Sequence, residues 1–211
     1  IVGGGWIGLE IAASARRLGA DVTVFERQPA LCMRSVGADV SQALLELHQQ
    51  QGVTLHCGCS DIQLEDRDGS AWIGSGVSDP QPFDLVVVGI GVELNLELAR
   101  SAGLKIDVGI VVDGQGRTSH PAIFAAGDVA RHPTLGLCLQ SWAYAQNQAI
   151  STACAMLDAF AAPYDDVAWL WSDQYDANIQ ILGVPTGGVH HVVRRTPQSQ
   201  VFFTLNADRQ L

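Results

Sequence analysis

Three glycines near the start of the chain have the spacing that a phosphate-binding turn needs. Gly3, Gly5 and Gly8 form a Gly-x-Gly-x-x-Gly pattern. Such glycines permit a tight turn, let the backbone approach a pyrophosphate and let a helix pack closely on a strand. The helix start would present unpaired N–H groups and roughly half a positive charge to the phosphates. We therefore predict an anion site here, with Trp6 and Ile7 on the first helical turn among its residues.

An acidic residue stands where such a turn would place the ribose of a dinucleotide. Glu26 ends a short β-branched segment 23 residues after Gly3, close to the roughly 20 residues typical of this arrangement. A carboxylate there accepts hydrogen bonds from ribose hydroxyls and repels a 2′-phosphate, which favours NAD over NADP. Arg27 follows and could instead accommodate that phosphate. The alternative is a glycine-rich turn with a surface glutamate; the pattern favours dinucleotide binding.

Two further features could belong to the same site. Gly89, Ile90 and Gly91 follow an apolar run, and a glycine pair at a strand end lets the chain cross a cofactor cleft closely. A plain loop would explain this pair equally well. Glu10 lies one turn into the opening helix, and its spacing alone favours a solvated residue.

The hydrophobic pattern predicts the elements that must position these residues. The run at 84–88 has no polar alternation, which indicates a parallel sheet covered on both faces. After Pro163 several short apolar segments indicate a separate antiparallel sheet. The predicted helices cover 6–18, 36–51, 95–102 and 141–157, and the predicted strands cover 21–26, 53–55, 84–88, 110–112, 123–125, 169–171, 178–182, 189–193 and 201–205, with a hairpin over 61–77.

Composition limits the classes of function. The chain has 211 residues, 47% hydrophobic and 16% charged, with a net charge of −10. It is hydrophobic enough for a folded core, and too acidic to be a general binder of nucleic acid or anionic membranes. No apolar stretch is long enough to span a membrane. Only Ile1 and Val2 precede the glycines, which predicts a strand cut short and hence a fragment.

The five cysteines favour neither a disulfide framework nor a structural metal site. Their number is odd and no pair has Cys-x-x-Cys spacing. Cys57 and Cys59 could bind a soft metal, although ordinary small residues near a strand end explain them better. We expect no metal site, and the reducing cytoplasm is the expected location.

The motifs together resemble a known family. They are Gly-Gly-Gly-Trp-Ile-Gly-Leu-Glu at 3–10, Val-Val-Val-Gly-Ile-Gly at 86–91, Thr-Ser-His-Pro-Ala-Ile-Phe-Ala-Ala-Gly-Asp-Val-Ala at 118–130, Ser141-Trp142, and Trp-Leu-Trp-Ser-Asp-Gln-Tyr at 169–175. This set resembles the NADH-dependent, FAD-containing ferredoxin reductases of Rieske-type dioxygenase and bacterial cytochrome P450 systems, including rubredoxin and putidaredoxin reductases.

The resemblance implies an activity and a set of site residues. NADH would pass electrons through FAD to a 2Fe–2S ferredoxin or a rubredoxin, with the flavin carrying the redox chemistry. Glu10 would lie beside the nicotinamide, and Gly91 and Arg34 would lie close to NAD. The residues implied for FAD are Gly127, whose backbone would be accessible, Asp128, whose carboxylate would bond the ribitol, and Ser141, Trp142 and Trp171. A capping role for Asp128 and core packing for the tryptophans are the alternatives.

The resemblance also implies an α/β fold with three parts. They are a Rossmann-type NAD domain over 1–116, the C-terminal part of an FAD domain over 117–162, and a small antiparallel α+β domain over 163–211. The chain departs from the family at Leu94, Cys138 and Gln140, where proline, arginine and glutamate are usual. Two alternatives stay open: a disulfide or peroxide reductase of the same superfamily, and a fragment that only binds NAD.

Overall fold

The chain forms two compact units. The computed structural model describes residues 1–158, 160–184 and 188–211. The first unit comprises Ile1–Gly91, Ser172–Ile179 and Val184–Leu211, and the second comprises Val92–Trp171 and Gln180–Gly183. Each unit has a hydrophobic core of its own.

The described residues form four α-helices and eleven strands. The helices are α1 (Trp6–Arg17), α2 (Ala38–Gln50), α3 (Glu97–Ser101) and α4 (Trp142–Leu157). The strands are β1 (Thr23–Glu26), β2 (Thr54–Cys57), β3 (Gln63–Arg67), β4 (Ser70–Gly74), β5 (Gln81–Phe83), β6 (Ile110–Val111), β7 (Ala130–Arg131), β8 (Trp169–Gln174), β9 (Ala177–Leu182), β10 (His190–Arg195) and β11 (Gln200–Leu205). Within these described ranges no helix has both the length and the apolar character needed to cross a membrane.

Parallel strands support the glycine turn, as the sequence predicts. β1 pairs with β2 in parallel along its whole length. On the other side of β1, Val2 forms parallel bridges to both Phe25 and Val88. Because parallel strands end at the same edge of a sheet, the glycine turn after Val2 and the end of β1 lie together.

Helix α1 packs its small residues against this sheet. Ala12 joins a core cluster with Val22, Val24 and Val53. Ile7 on the first turn and Leu18 at the C-cap lie away from the sheet, since they are 60% and 90% exposed. Small side chains on the packed face let the helix approach the strands closely. The buried residues of α1 are Gly8, Leu9, Ala12 and Ala13.

The run 84–88 is not a regular strand, which corrects the prediction of a buried strand there. It joins the sheet only beside Val2, whose N–H donates to the Val87 carbonyl and whose carbonyl accepts from Gly89, each at 2.8 Å. Leu85 and Val88 are exposed. Among the described residues, the run therefore contributes one bridge to the sheet, at Val88.

The hairpin predicted over 61–77 is confirmed and has a third strand. β3 pairs antiparallel with β4, and β4 pairs antiparallel with β5. At the turn the N–H of Gly69 donates to Oδ1 of Asp66 at 2.9 Å, and Asp68 has a φ of 54°. Aspartate tolerates this left-handed conformation, so the turn residues themselves determine the register.

In the second unit, a pair of short parallel strands holds the core. β6 pairs with β7 in parallel. The strand predicted over 123–125 is reduced to one antiparallel bridge between Arg117 and Phe124, and a 3₁₀ turn, Gly127–Val129, follows. The core cluster beneath these elements consists of Leu96, Ala99, Ile110, Val112 and Ala130.

The strands near the C-terminus are antiparallel, as predicted, but they do not form one sheet in the part of the chain that the structure describes. β8 pairs with β9, and β10 pairs with β11, in two separate two-stranded sheets. Every residue of β10 is exposed. The hairpin β8–β9 matters most for the site, because polar side chains of β8 contact α1 and α2.

Candidate functional site

Backbone contacts leave no room for a side chain at two positions of the glycine turn, Gly3 and Gly8. Gly3 has a φ of +111°, and its N–H donates to the carbonyl of Phe25 at 2.8 Å. A Cβ on Gly3 would overlap the carbonyl of Gly89, and a Cβ on Gly8 would overlap the carbonyl of Gly3. The fold therefore requires glycine at both positions.

Gly5 leaves open space at the N-terminus of α1. It is the N-cap residue, with φ −83° and ψ −178°, and no side chain caps the helix. A Cβ on Gly5 would meet nothing within 4 Å. Trp6 and Ile7 begin the helix here, and Ile7 is 60% exposed. The uncapped helix start and the open position together fit a pyrophosphate.

The carboxylate of Glu26 is held against the same turn. Its Oε2 accepts the N–H of Gly4 at 2.5 Å, and its Oε1 accepts the N–H of Gln28 at 2.6 Å. Each carboxylate oxygen can accept a further hydrogen bond. The side chain is therefore fixed and still able to accept from a ribose diol. Arg27, the next residue, is exposed.

The second glycine pair lies beside the first turn. A Cβ on Gly89 would be 3.7 Å from the backbone nitrogen of Gly8. Gly91 has a φ of +114°, and a Cβ there would be 3.3 Å from a guanidinium nitrogen of Arg34. Ile90 is exposed between them. The structure thus brings 89–91 and Arg34 together with the residues predicted for NAD.

Glu10 has a buried partner. Its Oε1 accepts the hydroxyl of Ser172 at 2.6 Å. Ser172 in turn contacts Gln174, which reaches His48. Sequence reasoning assigned no role to these three residues, because Ser172 and Gln174 served only as part of the motif at 169–175 and His48 only as part of a predicted helix. The available signal was a polar run inside an otherwise apolar, tryptophan-rich strand.

In the second unit, Gly127 and Asp128 lie on the 3₁₀ turn. Gly127 has a φ of +78°, and its N–H donates to Oε1 of Gln148, on α4, at 2.8 Å. Gln148 is 2% exposed, whereas Asp128 is exposed. Accessible backbone beside an exposed acceptor fits a flavin ribitol chain. Sequence reasoning used Gln148 only for the family resemblance and did not assign it this contact with Gly127.

Ser141, Trp142 and Trp171 belong to one surface cluster. The hydroxyl of Ser141 caps α4 by accepting from the N–H of Tyr144 at 3.3 Å, and it donates to the Trp169 carbonyl at 3.1 Å. The rings of Trp142 and Trp171 meet edge to face at 5.6 Å, and those of Trp169 and Trp171 stack at 5.1 Å. Trp142 is 66% exposed. Core packing therefore does not account for it.

Comparison with known proteins identifies the family. The sequence model named pyridine nucleotide-disulphide oxidoreductase matches residues 1–149, and the one named reductase C-terminal matches residues 169–211. The chain belongs to the pyridine nucleotide-disulphide oxidoreductase family. This assignment confirms the α/β fold class predicted from the sequence.

Several relatives are similar over nearly the whole chain. The ferredoxin–NAD(+) reductase component of the anthranilate 1,2-dioxygenase system from Burkholderia cepacia is 41% identical, over 100% of this chain and 53% of the relative. Rhodocoxin reductase from Rhodococcus erythropolis is 38% identical, over 96% of this chain and 48% of the relative. In the solved structure of the covalent putidaredoxin reductase–putidaredoxin complex, the matching chain has a TM-score of 0.89 and 32% identity, over 98% of this chain and 52% of that one.

These relatives confirm the resemblance to ferredoxin reductases. The chain spans about half the length of the curated relatives it matches.

Proposed function

We propose that this chain is part of an FAD-dependent ferredoxin–NAD(+) reductase, which carries electrons from NADH to a 2Fe–2S ferredoxin or a rubredoxin. That carrier supplies a ring-hydroxylating dioxygenase or a bacterial cytochrome P450. The observation that carries the proposal is the glycine turn, with open space at Gly5 and the Glu26 carboxylate fixed beside it. The ferredoxin partner is supported by the names of the relatives.

In this proposal the first unit binds NADH. The start of α1 receives the pyrophosphate, and Glu26 accepts from the ribose diol, which disfavours NADPH. Arg34 and Gly91 are close enough to each other to contribute to one site. The proposed NAD residues are Gly3, Gly5, Trp6, Ile7, Gly8, Glu10, Glu26, Arg27, Arg34, Gly89, Ile90 and Gly91.

Residues of the second unit contribute to the FAD site. Asp128 accepts from ribitol hydroxyls and Gly127 allows a close approach, while Ser141 holds the tryptophan cluster that includes Trp142 and Trp171. FAD, when bound, supplies the conversion between two-electron and one-electron transfer. The proposed domain bounds remain 1–116, 117–162 and 163–211, and the proposed location is the cytoplasm, based on the cysteine usage.

The cysteines of this chain do not favour the rival role in disulfide or peroxide reduction. All five are free thiols. Burial raises the pKa of Cys32 to about 12, with the Glu26 charge adding to the effect. Burial also raises the pKa of Cys57, Cys59 and Cys138. Reactive cysteines instead need a lowered pKa, because the thiolate is the nucleophile.

The test uses the complete protein with FAD bound. Saturable NADH binding that is much tighter than NADPH binding, followed by NADH-driven reduction of a 2Fe–2S ferredoxin, is the expected result. Reduction of oxidised glutathione or a peroxide without ferredoxin reduction would favour the rival. If the protein binds NADH but catalyses neither reaction, the alternative that it only binds NAD is favoured. If it does not bind NADH, the proposal is wrong.

A further inference from the structure

A continuous line of hydrogen bonds joins Glu10 to the interior of the first unit. The hydroxyl of Ser172 donates to Oε1 of Glu10 at 2.6 Å. The side-chain amide nitrogen of Gln174 donates to that hydroxyl oxygen at 3.0 Å. The amide oxygen of Gln174 lies 2.8 Å from Nε2 of His48. On the far side of the imidazole, the hydroxyl of Tyr175 lies 3.0 Å from Nδ1.

The middle of this line is shielded from water. Ser172 is 1% exposed, and Gln174 and His48 are 0% exposed. Tyr175 has a φ of 56°, and its ring meets His48 edge to face at 5.1 Å. A non-glycine residue in this conformation is uncommon, so the turn after β8 is shaped to bring Tyr175 to the histidine. Buried polar groups in such a network hold one another in place.

The direction of every bond in the line is determined. Because the amide nitrogen of Gln174 donates to Ser172, the amide oxygen faces His48 and can only accept. Nε2 of His48 must therefore carry the proton, and Nδ1 must accept from Tyr175. Burial lowers the pKa of His48, which keeps the imidazole neutral at neutral pH. All four donors thus point along the line toward Glu10.

Glu10 lies on α1, the helix that begins at the glycine turn. Together with Ile7, on the first turn of α1, it lines an open groove of about 410 Å³. The described contacts use one carboxylate oxygen, Oε1. Oε2 is available for a donor outside the protein.

We propose that Ser172 is a positioning residue for the NADH site. Its hydroxyl, oriented by Gln174 and His48, fixes Oε1 of Glu10 and leaves Oε2 to accept an N–H or O–H donor of the bound dinucleotide. This inference rests on the proposed binding of NADH. It adds a chain of hydrogen bonds from Tyr175 to Glu10 that fixes the orientation of the Glu10 carboxylate for its proposed contact with the dinucleotide.

A double-mutant cycle on the FAD-loaded complete protein tests this role. Ser172→Ala and Glu10→Gln are each expected to weaken NADH binding about three- to tenfold, the range expected for the net contribution of one ordinary hydrogen bond. The double variant should bind no more weakly than Glu10→Gln alone, because both changes remove one interaction. Ser172→Thr, which keeps the donor, should restore binding, and Asp173→Asn, on the exposed side of the same strand, should leave it unchanged.

The outcomes separate this inference from the proposed function. If the wild type binds NADH but Ser172→Ala binds equally well, or if the two single effects add in the double variant, the positioning role is wrong and the proposed function stands. If the wild type does not bind NADH, both are wrong. Should Ser172→Ala fail to fold, nitrogen-15 spectra of His48 in the wild type decide: a protonated Nε2 supports this chain of hydrogen bonds, and a protonated Nδ1 overturns it.

Discussion

The carboxylate of Glu26 accepts a hydrogen bond from the backbone N–H of Gly4 at 2.5 Å. One acidic side chain therefore organises the glycine turn, and the same carboxylate is the proposed acceptor for the ribose. Gly4 itself is tightly enclosed, since a Cβ there would be 2.7 Å from a methyl carbon of Leu31 and 3.0 Å from the Cβ of Glu26. Sequence spacing suggests the ribose contact, but only the structure shows that the acid also braces the turn.

Replacing Glu26 should weaken NADH binding and reduce the preference over NADPH. Glu26→Ala removes the proposed acceptor for the diol, and charged hydrogen bonds of this kind contribute about 1.5–3 kcal/mol. We expect at least a tenfold rise in the NADH dissociation constant and a smaller change for NADPH, measured by fluorescence titration. Glu46→Ala, which removes an exposed acid on α2, is the control. An unchanged NADH-to-NADPH ratio would contradict the assigned role of Glu26.

Two N-cap glycines provide a matched test of the proposed pyrophosphate site at the start of α1. Gly5 and Gly37 cap α1 and α2 with similar backbone angles, and a Cβ at either would meet nothing within 4 Å. Alanine at each should therefore cost a similar, small amount of stability. Only Gly5→Ala should weaken NADH binding, by about tenfold or more, because its methyl group occupies space proposed for the pyrophosphate. Equal affinities of the two variants would argue against phosphate binding at Gly5.

Gly8→Ala should lower the free energy of unfolding. Its Cβ would overlap the backbone carbonyl of Gly3, and overpacking of this kind costs about 1–3 kcal/mol. Urea denaturation should show that loss in the free energy of unfolding. A fully stable Gly8→Ala protein would mean that the turn and α1 can move apart.

Gln148 should be needed to maintain the conformation of the 3₁₀ turn Gly127–Val129. Gln148→Ala leaves the partly buried N–H of Gly127 without its acceptor, and about 1–3 kcal/mol is the upper range for a donor left unpaired in this way. We expect a lower unfolding free energy and faster loss of FAD from the complete protein, followed by flavin fluorescence. Gln146→Ala, at an exposed position on the same helix, should show neither effect. If FAD retention is equal in the two variants, Gln148 has no role at the turn.

The free energy of unfolding should fall as the pH is lowered from 7.5 to 5.5. Burial lowers the pKa of His48 below its ordinary value of 6.5, against a smaller opposing effect of the Gln174 hydrogen bond. Below pH 6.5 the unfolded chain therefore binds a proton that the folded chain does not, and stability is lost until the folded pKa is reached. The slope is at most about 1.4 kcal/mol per pH unit for one proton.

Urea denaturation at pH 7.5, 6.5 and 5.5 measures that slope. Burial likewise lowers the pKa of His132, so the wild type carries two such contributions. His48→Gln should reduce the slope, whereas His190→Gln, at an exposed position, should not. If the pH slope of His48→Gln equals that of the wild type, His48 does not gain a proton on unfolding and the prediction is wrong.

Local patterns predicted much of the fold correctly. The helices at α1, α2 and α4 and the turn at Asp66–Gly69 follow from residue type and spacing over a few positions, which is where helix and turn preferences act. The prediction of a regular strand over 84–88 was wrong, since in the described residues this run forms one bridge, to Val2, which is distant in sequence. Pairing between distant residues does not follow from a local apolar pattern.

Short motifs alone were enough to predict the glycine turn, the acid at position 26 and the resemblance to ferredoxin reductases. These depend on backbone requirements and on patterns that are complete within a few residues. The folded chain was needed to show that Ser172 holds Glu10, that Gln148 supports Gly127 and that Gln174 contacts the imidazole of His48. Each of these pairings joins residues far apart in the chain, and burial determines their hydrogen bonds only after the chain has folded.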